Sequence, residues 1–377
     1  MSFEKDYIEA VDCAIKAKKQ YLKDALEREA LSRWKSIGLD GWSEMERREQ
    51  YEQEVVPYWK RFGFVPKQFW FELNGSRDHR MDPRFIPDDL YYTEIIPYLN
   101  NGQQFYGLSN KGYYDFFFSD VKQAKTVALK IEGLYCDEER NIITVEDVID
   151  RCREHKGTLF IKPSTNTHSG EGIIVVEPAE CSDDDIRKLL EGSGSSFIIQ
   201  ERIRQHPLLN RLNPLSVCTI RVISLIFDNK VSIENAAIRI GGPEQLFVTV
   251  NDGCKHSEIL EDHRLHSKIL LNSDSWVENG GGLFDDRFVV PSMEKVYEEI
   301  LRIHPRLGHF KCIGWDFSID EDGDAVLIEL NPAPSAGDGS QLVCCRPMFN
   351  EKTDWILEDY FERRTWETNH FQNILIQ

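Results

Sequence analysis

Residues 312–331 read Cys-Ile-Gly-Trp-Asp-Phe-Ser-Ile-Asp-Glu-Asp-Gly-Asp-Ala-Val-Leu-Ile-Glu-Leu-Asn. Two runs of strand-forming residues flank a turn of Asp and Gly, the pattern of a β-hairpin. If Asp320 pairs with Ala325 around the loop 321–324, Asp316 falls opposite Glu329, and Asn331 shares that face two positions on. Like charges opposed across a ladder destabilise it. A divalent cation reverses that cost. Two carboxylates and an amide oxygen make a hard, oxygen-only set, which suits Mg²⁺ better than zinc. The face is otherwise small, with Gly314 and Ser318 flanking Asp316 while Trp315, Phe317 and Ile319 point the other way. The alternative is a solvent-facing acidic hairpin. An EF-hand loop is excluded, because Gly323 is the fourth residue from Asp320 and that loop needs glycine sixth.

Three further stretches carry groups suited to an anion. Residues 158–163 form a short apolar strand that ends in Lys162. The loop 164–172, rich in hydroxyls and glycine and including Ser169, Gly170 and Gly172, leads into a second strand at 173–177. Backbone N–H groups of such a loop can approach an anion closely. It is not a Walker loop, since the lysine precedes it, and a hairpin with a plain Gly/Ser tip reads equally well. Arg221 interrupts the near-continuous apolar strand 216–226. A buried arginine must be paired or must face a cleft that offers it an anion. Lys111 opens a short helix after Ser-Asn, a place where a lone lysine is ordinarily a surface residue.

The chain has 377 residues, room for two or three subdomains around a substantial core. A net charge of −19 argues against a nucleic-acid or anionic-membrane partner, although a local Lys/Arg cluster can still bind a nucleotide. No apolar run is long enough for a membrane span, and the first residues lack a signal-peptide layout. The nine cysteines are scattered apart from the adjacent Cys344 and Cys345, which predicts reduced thiols in a cytoplasmic protein. His263 and His266 could share one face of a helix and bind a metal, but no third ligand is evident.

These residues need elements to hold them. Residues 1–60 read as a helical module, with a second helix over 43–56 capped by Ser43 and Glu46. Residues 61–109 are rich in proline and aromatics, a packed connecting region. A strand is expected at 126–131 and a helix from the N-cap Thr144 to about 152–155. Further strands are expected at 197–203 and 231–240, and 241–290 read as polar and loop-rich. A helix capped by Ser292 follows over 292–305, and a C-terminal helix over 353–367. The fold class is α+β.

In this fixed order, four motifs resemble the ATP-grasp superfamily, the fold of glutathione synthetase and D-alanine–D-alanine ligase. They are Leu-Ser-Asn-Lys, the strand-end lysine with its Gly/Ser loop, Gln-Glu-Arg-Ile followed by Thr-Ile-Arg-Val, and the acidic hairpin ending in Leu-Ile-Glu-Leu-Asn. The closer similarity is to sugar-transfer-associated ATP-grasp proteins and covers about residues 60–350. The resemblance implies two α+β subdomains, 110–200 and 201–377, clasping ATP. It implies that Lys111 and Lys162 contact phosphates and that Ser169, Gly170 and Gly172 close over them. Gln200, Glu201 and Ile203 would lie at the adenine, and Arg221 would neutralise the transferring phosphoryl group. Asp316, Glu329 and Asn331 would hold Mg²⁺. The implied activity is carboxylate–amine ligation through an acyl phosphate, with a sugar acid among the conceivable substrates and polysaccharide or natural-product biosynthesis as the setting. A nucleotide-binding scaffold and a small-molecule kinase are the alternatives on the same fold. The N-terminal helices either pack on the core or mediate a homodimer. Cys218, where relatives commonly have asparagine, and the stretch 241–260 depart from the family pattern.

Overall fold

A computed structural model describes residues 2–165, 170, 172–248, 253–285 and 287–363. Two antiparallel sheets organise it. The smaller contains β1 (Thr126–Ile131), β2 (Leu134–Cys136), β3 (Leu159–Pro163), β4 (Ile174–Val176) and β5 (Phe197–Glu201), in the order β2-β1-β5-β3-β4. The larger contains β6 (Thr219–Phe227), β7 (Lys230–Ile240), β8 (Lys255–Glu258), β9 (Ile269–Leu271), β10 (Ser275–Val277), β11 (Cys312–Ile319) and β12 (Ala325–Asn331), in the order β10-β9-β8-β7-β6-β11-β12.

Helices Val145–Glu154 and Asp183–Gly192 cover the small sheet, burying Val148, Ile149, Ile186 and Leu190 against Leu159, Ile161 and Ile199. Both begin with a capping box, Thr144 with Asp147 and Ser182 with Asp185, so their N-termini are set locally.

The large sheet has two unlike faces, and period-two alternation produces both. Ile220 and Val222 on β6 and Ile313, Trp315, Phe317 and Ile319 on β11 point to one side. There they pack on Met293, Val296, Ile300 and Ile303 of the helix Met293–Ile303. The intervening residues point the other way. Ile223, Leu225 and Cys312 lie under the N- and C-terminal helices, in a core that includes Ala30, Trp59, Trp70 and Leu357. Farther along the same strands, Arg221 and Asp316 face a cleft.

The N-terminal helix Ser2–Ser36 joins that core through its C-terminal half. Buried Glu72 ties it down, accepting from Trp34 Nε1 at 2.6 Å and from Arg47 Nε at 2.9 Å.

Several expectations need correction. The helix at 43 ends its regular α portion at Gln50, passes through a π-turn at Tyr51–Val55 and continues as Val56–Lys60. Pro57 is tolerated because it stands in the first turn of that last piece. Within the loop-rich residues 241–290, the short strands β8, β9 and β10 extend the large sheet. His263 and His266 are not on a helix: His263 has φ +63° in a turn, and among the described residues no cluster of three or more His, Cys, Asp or Glu side chains gathers around them. Ser292 precedes its helix with φ +53° and makes no side-chain cap. The C-terminal helix is described as Lys352–Arg363; residues 364–367 lie outside the described residues. All nine cysteines are free thiols. No described helix is long and apolar enough to cross a membrane.

Candidate active site

The hairpin β11–β12 reaches the expected pairing by an unexpected route. At its tip Ile319 opposes Ala325 and Phe317 opposes Leu327, one residue off the register inferred from the turn. A bulge at Ile328 then inserts one residue, and below it Asp316 opposes Glu329 and Gly314 opposes Asn331. The bulge keeps Leu327 and Leu330 in the core while Ile328, Glu329 and Asn331 line the cleft. Gly314 is required at its place: a Cβ there would stand 2.6 Å from the Cβ of Pro334.

The cleft is a cavity of about 380 Å³ between the two sheets. Lys162 enters at the end of β3, Glu201 at the end of β5, and Ile203 follows in the segment joining the sheets. Lys111 enters from the short 3-10 helix Lys111–Tyr113, whose N-cap Asn110 accepts from Gly112 N at 2.8 Å. Arg221, Asp316, Glu329 and Asn331 form the opposite wall. Gly170 also lines the cavity. It has φ +81°, and a Cβ on it would come within 2.6 Å of the Phe247 ring. Gly172, at φ +73°, packs on Pro163 instead. Ser169 lies outside the described residues. Gln200 does not line the cavity but positions a residue that does. Its Oε1 accepts from Lys162 Nζ at 3.2 Å and its Nε2 donates to Ala124 O at 3.3 Å.

Charge is arranged in pairs. Buried Arg221 grips Asp316 through one edge of its guanidinium, Nη2 donating to Oδ2 at 2.8 Å and Nε to Oδ1. Lys111 Nζ stands 2.8 Å from Glu329 Oε2. Burial pushes the Glu329 carboxyl up, but the charge and hydrogen bond of Lys111, with the charge of Arg221 and a hydrogen bond to Asp316, together hold the group below the usual carboxylate range. Burial and the nearby charge of Lys111 bring the Lys162 ammonium down to about 8.

The wall also contains residues that sequence reasoning missed. Arg239 on β7 lines the cleft with Thr219, Phe247 and Val248. It stands opposite Thr219 and so shares the face of Arg221. Its signal was available, since Ile-Arg-Ile sets a guanidinium in an apolar strand as Ile-Val flanks do for Arg221. Gly339 lets the covering loop approach both arginines, its Cβ position lying 3.4 Å from Arg221 Nη1 and from Arg239 Nη2.

The donor set fits a hard cation. Asp316, Glu329 and Asn331 bring carboxylate and amide oxygens to one cavity. Phosphate oxygens are matched by Lys111, Lys162 and Arg221 on the same walls.

Two antiparallel sheets, with a strand-end lysine on one and an acidic hairpin on the other, are the arrangement of an ATP-grasp protein. A sequence model of the sugar-transfer associated ATP-grasp family matches residues 91–351, more than half of the chain, and the chain belongs to that family. No curated protein matches it. Among solved structures it is similar to the D-alanyl-alanine synthetase A of Vibrio cholerae, at 14% identity and TM-score 0.40, over 68% of this chain and 64% of that one. The D-Ala:D-Ser ligase VanG of Enterococcus faecalis matches at 14% identity and TM-score 0.41, over 67% of this chain and 61% of that one. The biotin carboxylase of Campylobacter jejuni matches at 10% identity and TM-score 0.44, over 69% and 47%. The chain thus spans less than two thirds of the length of each.

Proposed function

We propose that the protein is an ATP- and Mg²⁺-dependent ligase that joins a carboxylate to an amine through an acyl phosphate. The observation that carries this reading is the meeting of Lys111, Lys162 and Arg221 with Asp316, Glu329 and Asn331 on one cavity between the two sheets. Lysines and an arginine positioned on both walls bind and orient a polyphosphate. Phosphoryl transfer depends mainly on such positioning and on neutralising charge. Asp316, Glu329 and Asn331 would hold Mg²⁺, which supplies positive charge to the phosphates when bound. Arg221, placed by its grip on Asp316, faces the point of transfer.

In the first step a carboxylate oxygen of the substrate attacks the γ-phosphorus. The bond from that phosphorus to the β–γ bridging oxygen breaks, and ADP leaves with the electron pair. In the second step an amine nitrogen attacks the acyl carbon. A C–N bond forms, the C–O bond to phosphate breaks, and the amine proton passes to solvent. A sugar acid as the carboxylate and a role in polysaccharide or natural-product biosynthesis rest on the family description alone.

The test is ADP release from Mg·ATP with pooled carboxylates, sugar acids included, and pooled amines, with mass spectrometry of the products. A condensed mass that appears only with a particular pair supports ligation. A phosphorylated product without an acceptor points to a kinase, and nucleotide binding without turnover in any pool to a scaffold.

A further inference from the structure

A second cavity, of about 200 Å³, adjoins the cleft, and Tyr92 and Ser335 wall both spaces. The far wall is the N-terminal helix, which presents Leu22, Leu26 and Ala30 together with Glu29 and Arg33. Leu73 and Leu342 extend the apolar lining, and Asp88 and Asn74 add to the polar one.

The loop that follows Asn331 connects the two spaces. It leaves the cleft at Asn331 and Ala333, passes Ser335, and meets the helix at Gly337. A Cβ on Gly337 would lie 3.2 Å from Arg33 Nη1 and 3.9 Å from Asp88 Oδ2, so these two charges converge on one stretch of backbone. Arg33 also donates to Glu29 Oε1 at 2.7 Å. The wall therefore offers one guanidinium and two carboxylates beside an apolar surface. A concave, half-apolar space with a few fixed polar groups is the usual form of a small-molecule site.

A ligase of the proposed kind needs a place for its amine next to the cleft but apart from the nucleotide. We propose that this second cavity is the acceptor subsite and that it takes a free α-amino acid with an apolar side chain. Glu29 and Asp88 match the ammonium, Arg33 matches the carboxylate, and Leu22, Leu26 and Leu73 match the side chain. The assignment as acceptor rests on the ligase reading; the binding of an amino acid there does not. It also separates the labour within the chain. The nucleotide groups lie within residues 91–351, whereas Leu22, Leu26, Glu29, Arg33, Leu73 and Asp88 precede the segment that the family shares. Most of the second cavity's wall thus lies outside the residues that the family model matches.

The test is calorimetric titration of the full chain with leucine, valine and phenylalanine, with glutamate and lysine as controls, in the presence of a non-hydrolysable Mg·ATP analogue. The same titrations are run on Arg33→Gln and on Leu26→Trp, which fills the cavity, and the analogue is titrated separately into each protein. Thermal melts confirm that both variants are folded. The expected result is saturable binding of at least one apolar amino acid, weakened about tenfold or more in Arg33→Gln, which is about 1.4 kcal/mol, and lost in Leu26→Trp. The affinity for the analogue stays unchanged. No apolar amino acid bound by the unaltered protein, or equal affinity in both variants, overturns the proposal. Failure of the unaltered protein to bind the analogue would count against the ligase reading, and the amino-acid titrations would still decide the subsite.

Discussion

One row of residues runs across five strands of the large sheet, Glu329–Asp316–Arg221–Ala237–Glu258, and it ends in carboxylates on both sides. The two ends have the same chemistry and opposite surroundings. Glu258 is sealed. Arg77 Nη1 donates to it at 2.7 Å and Arg346 Nη2 does so at 2.7 Å. Arg77 spends its remaining donors on Asp78 and on the carbonyls of Val343 and Cys344. Both Glu258 oxygens and every Arg77 nitrogen are answered by protein. At the other end Asp316 is gripped by Arg221 and Glu329 is paired with Lys111, and both line the cavity. A saturated ion cluster fixes tertiary structure, and loss of a partner leaves a buried charge uncompensated. A paired carboxylate on a cavity wall can exchange its partner for a cation. The difference distinguishes a sealed acid from one that lines a cavity where residue type alone does not.

The strongest break of this comparison is Glu329→Gln. It keeps shape and removes one charge from the cavity wall, so turnover should fall about a thousandfold with little change in melting temperature. Full Mg²⁺-dependent activity in this variant would remove Glu329 from the metal set. Arg77→Ala should do the reverse. Glu258 would keep only Arg346, and denaturant titration should show a loss of about 3 kcal/mol, with nucleotide affinity in the surviving folded protein unchanged.

A subtler test uses Lys162. Its ammonium sits near 8 because burial, then the charge of Lys111, disfavours the proton. The charged form binds phosphate and predominates below that pH. Nucleotide affinity should therefore be flat below about pH 8 and fall as pH rises through it, by up to about tenfold per unit, with proton uptake on binding. A profile flat to pH 10 would show that Lys162 does not touch the phosphates. The smallest effect is expected far from both acids. Thr144→Ala removes a capping box over the small sheet and should cost about 1 kcal/mol without altering nucleotide affinity.

Much of this site was legible because strand alternation is a strict rule. Gly314, Asp316 and Ser318 had to share a face once Trp315 and Phe317 were given to the core. Thr144 and Ser43 announced their helices through residues three positions on. What could not be read was long-range. Asp316 and Arg221 are 95 residues apart, and no local pattern says that they grip each other rather than a metal and a phosphate. β8, β9 and β10 were missed because they are short and lie among polar residues. Ser292 misled because a serine before a helix usually caps it, and here its backbone is left-handed. The N-terminal helix gave no chemical signal at all, since Arg33 and Glu29 look like any solvated pair until the cavity beside them is seen.

The bulge at Ile328 has a consequence for how this hairpin can change over generations. Pairing near the carboxylates is held from below, by Trp315 opposite Leu330 and Gly314 opposite Asn331, and the tip is already out of step with it by one residue. Insertions or deletions in the loop 321–324 therefore need not travel down the ladder to Asp316 and Glu329. The hairpin can lengthen, shorten or acquire new neighbours at its outer end while its inherited chemistry stays in place, a decoupling that lets one lineage explore new surfaces without first giving up its old reaction.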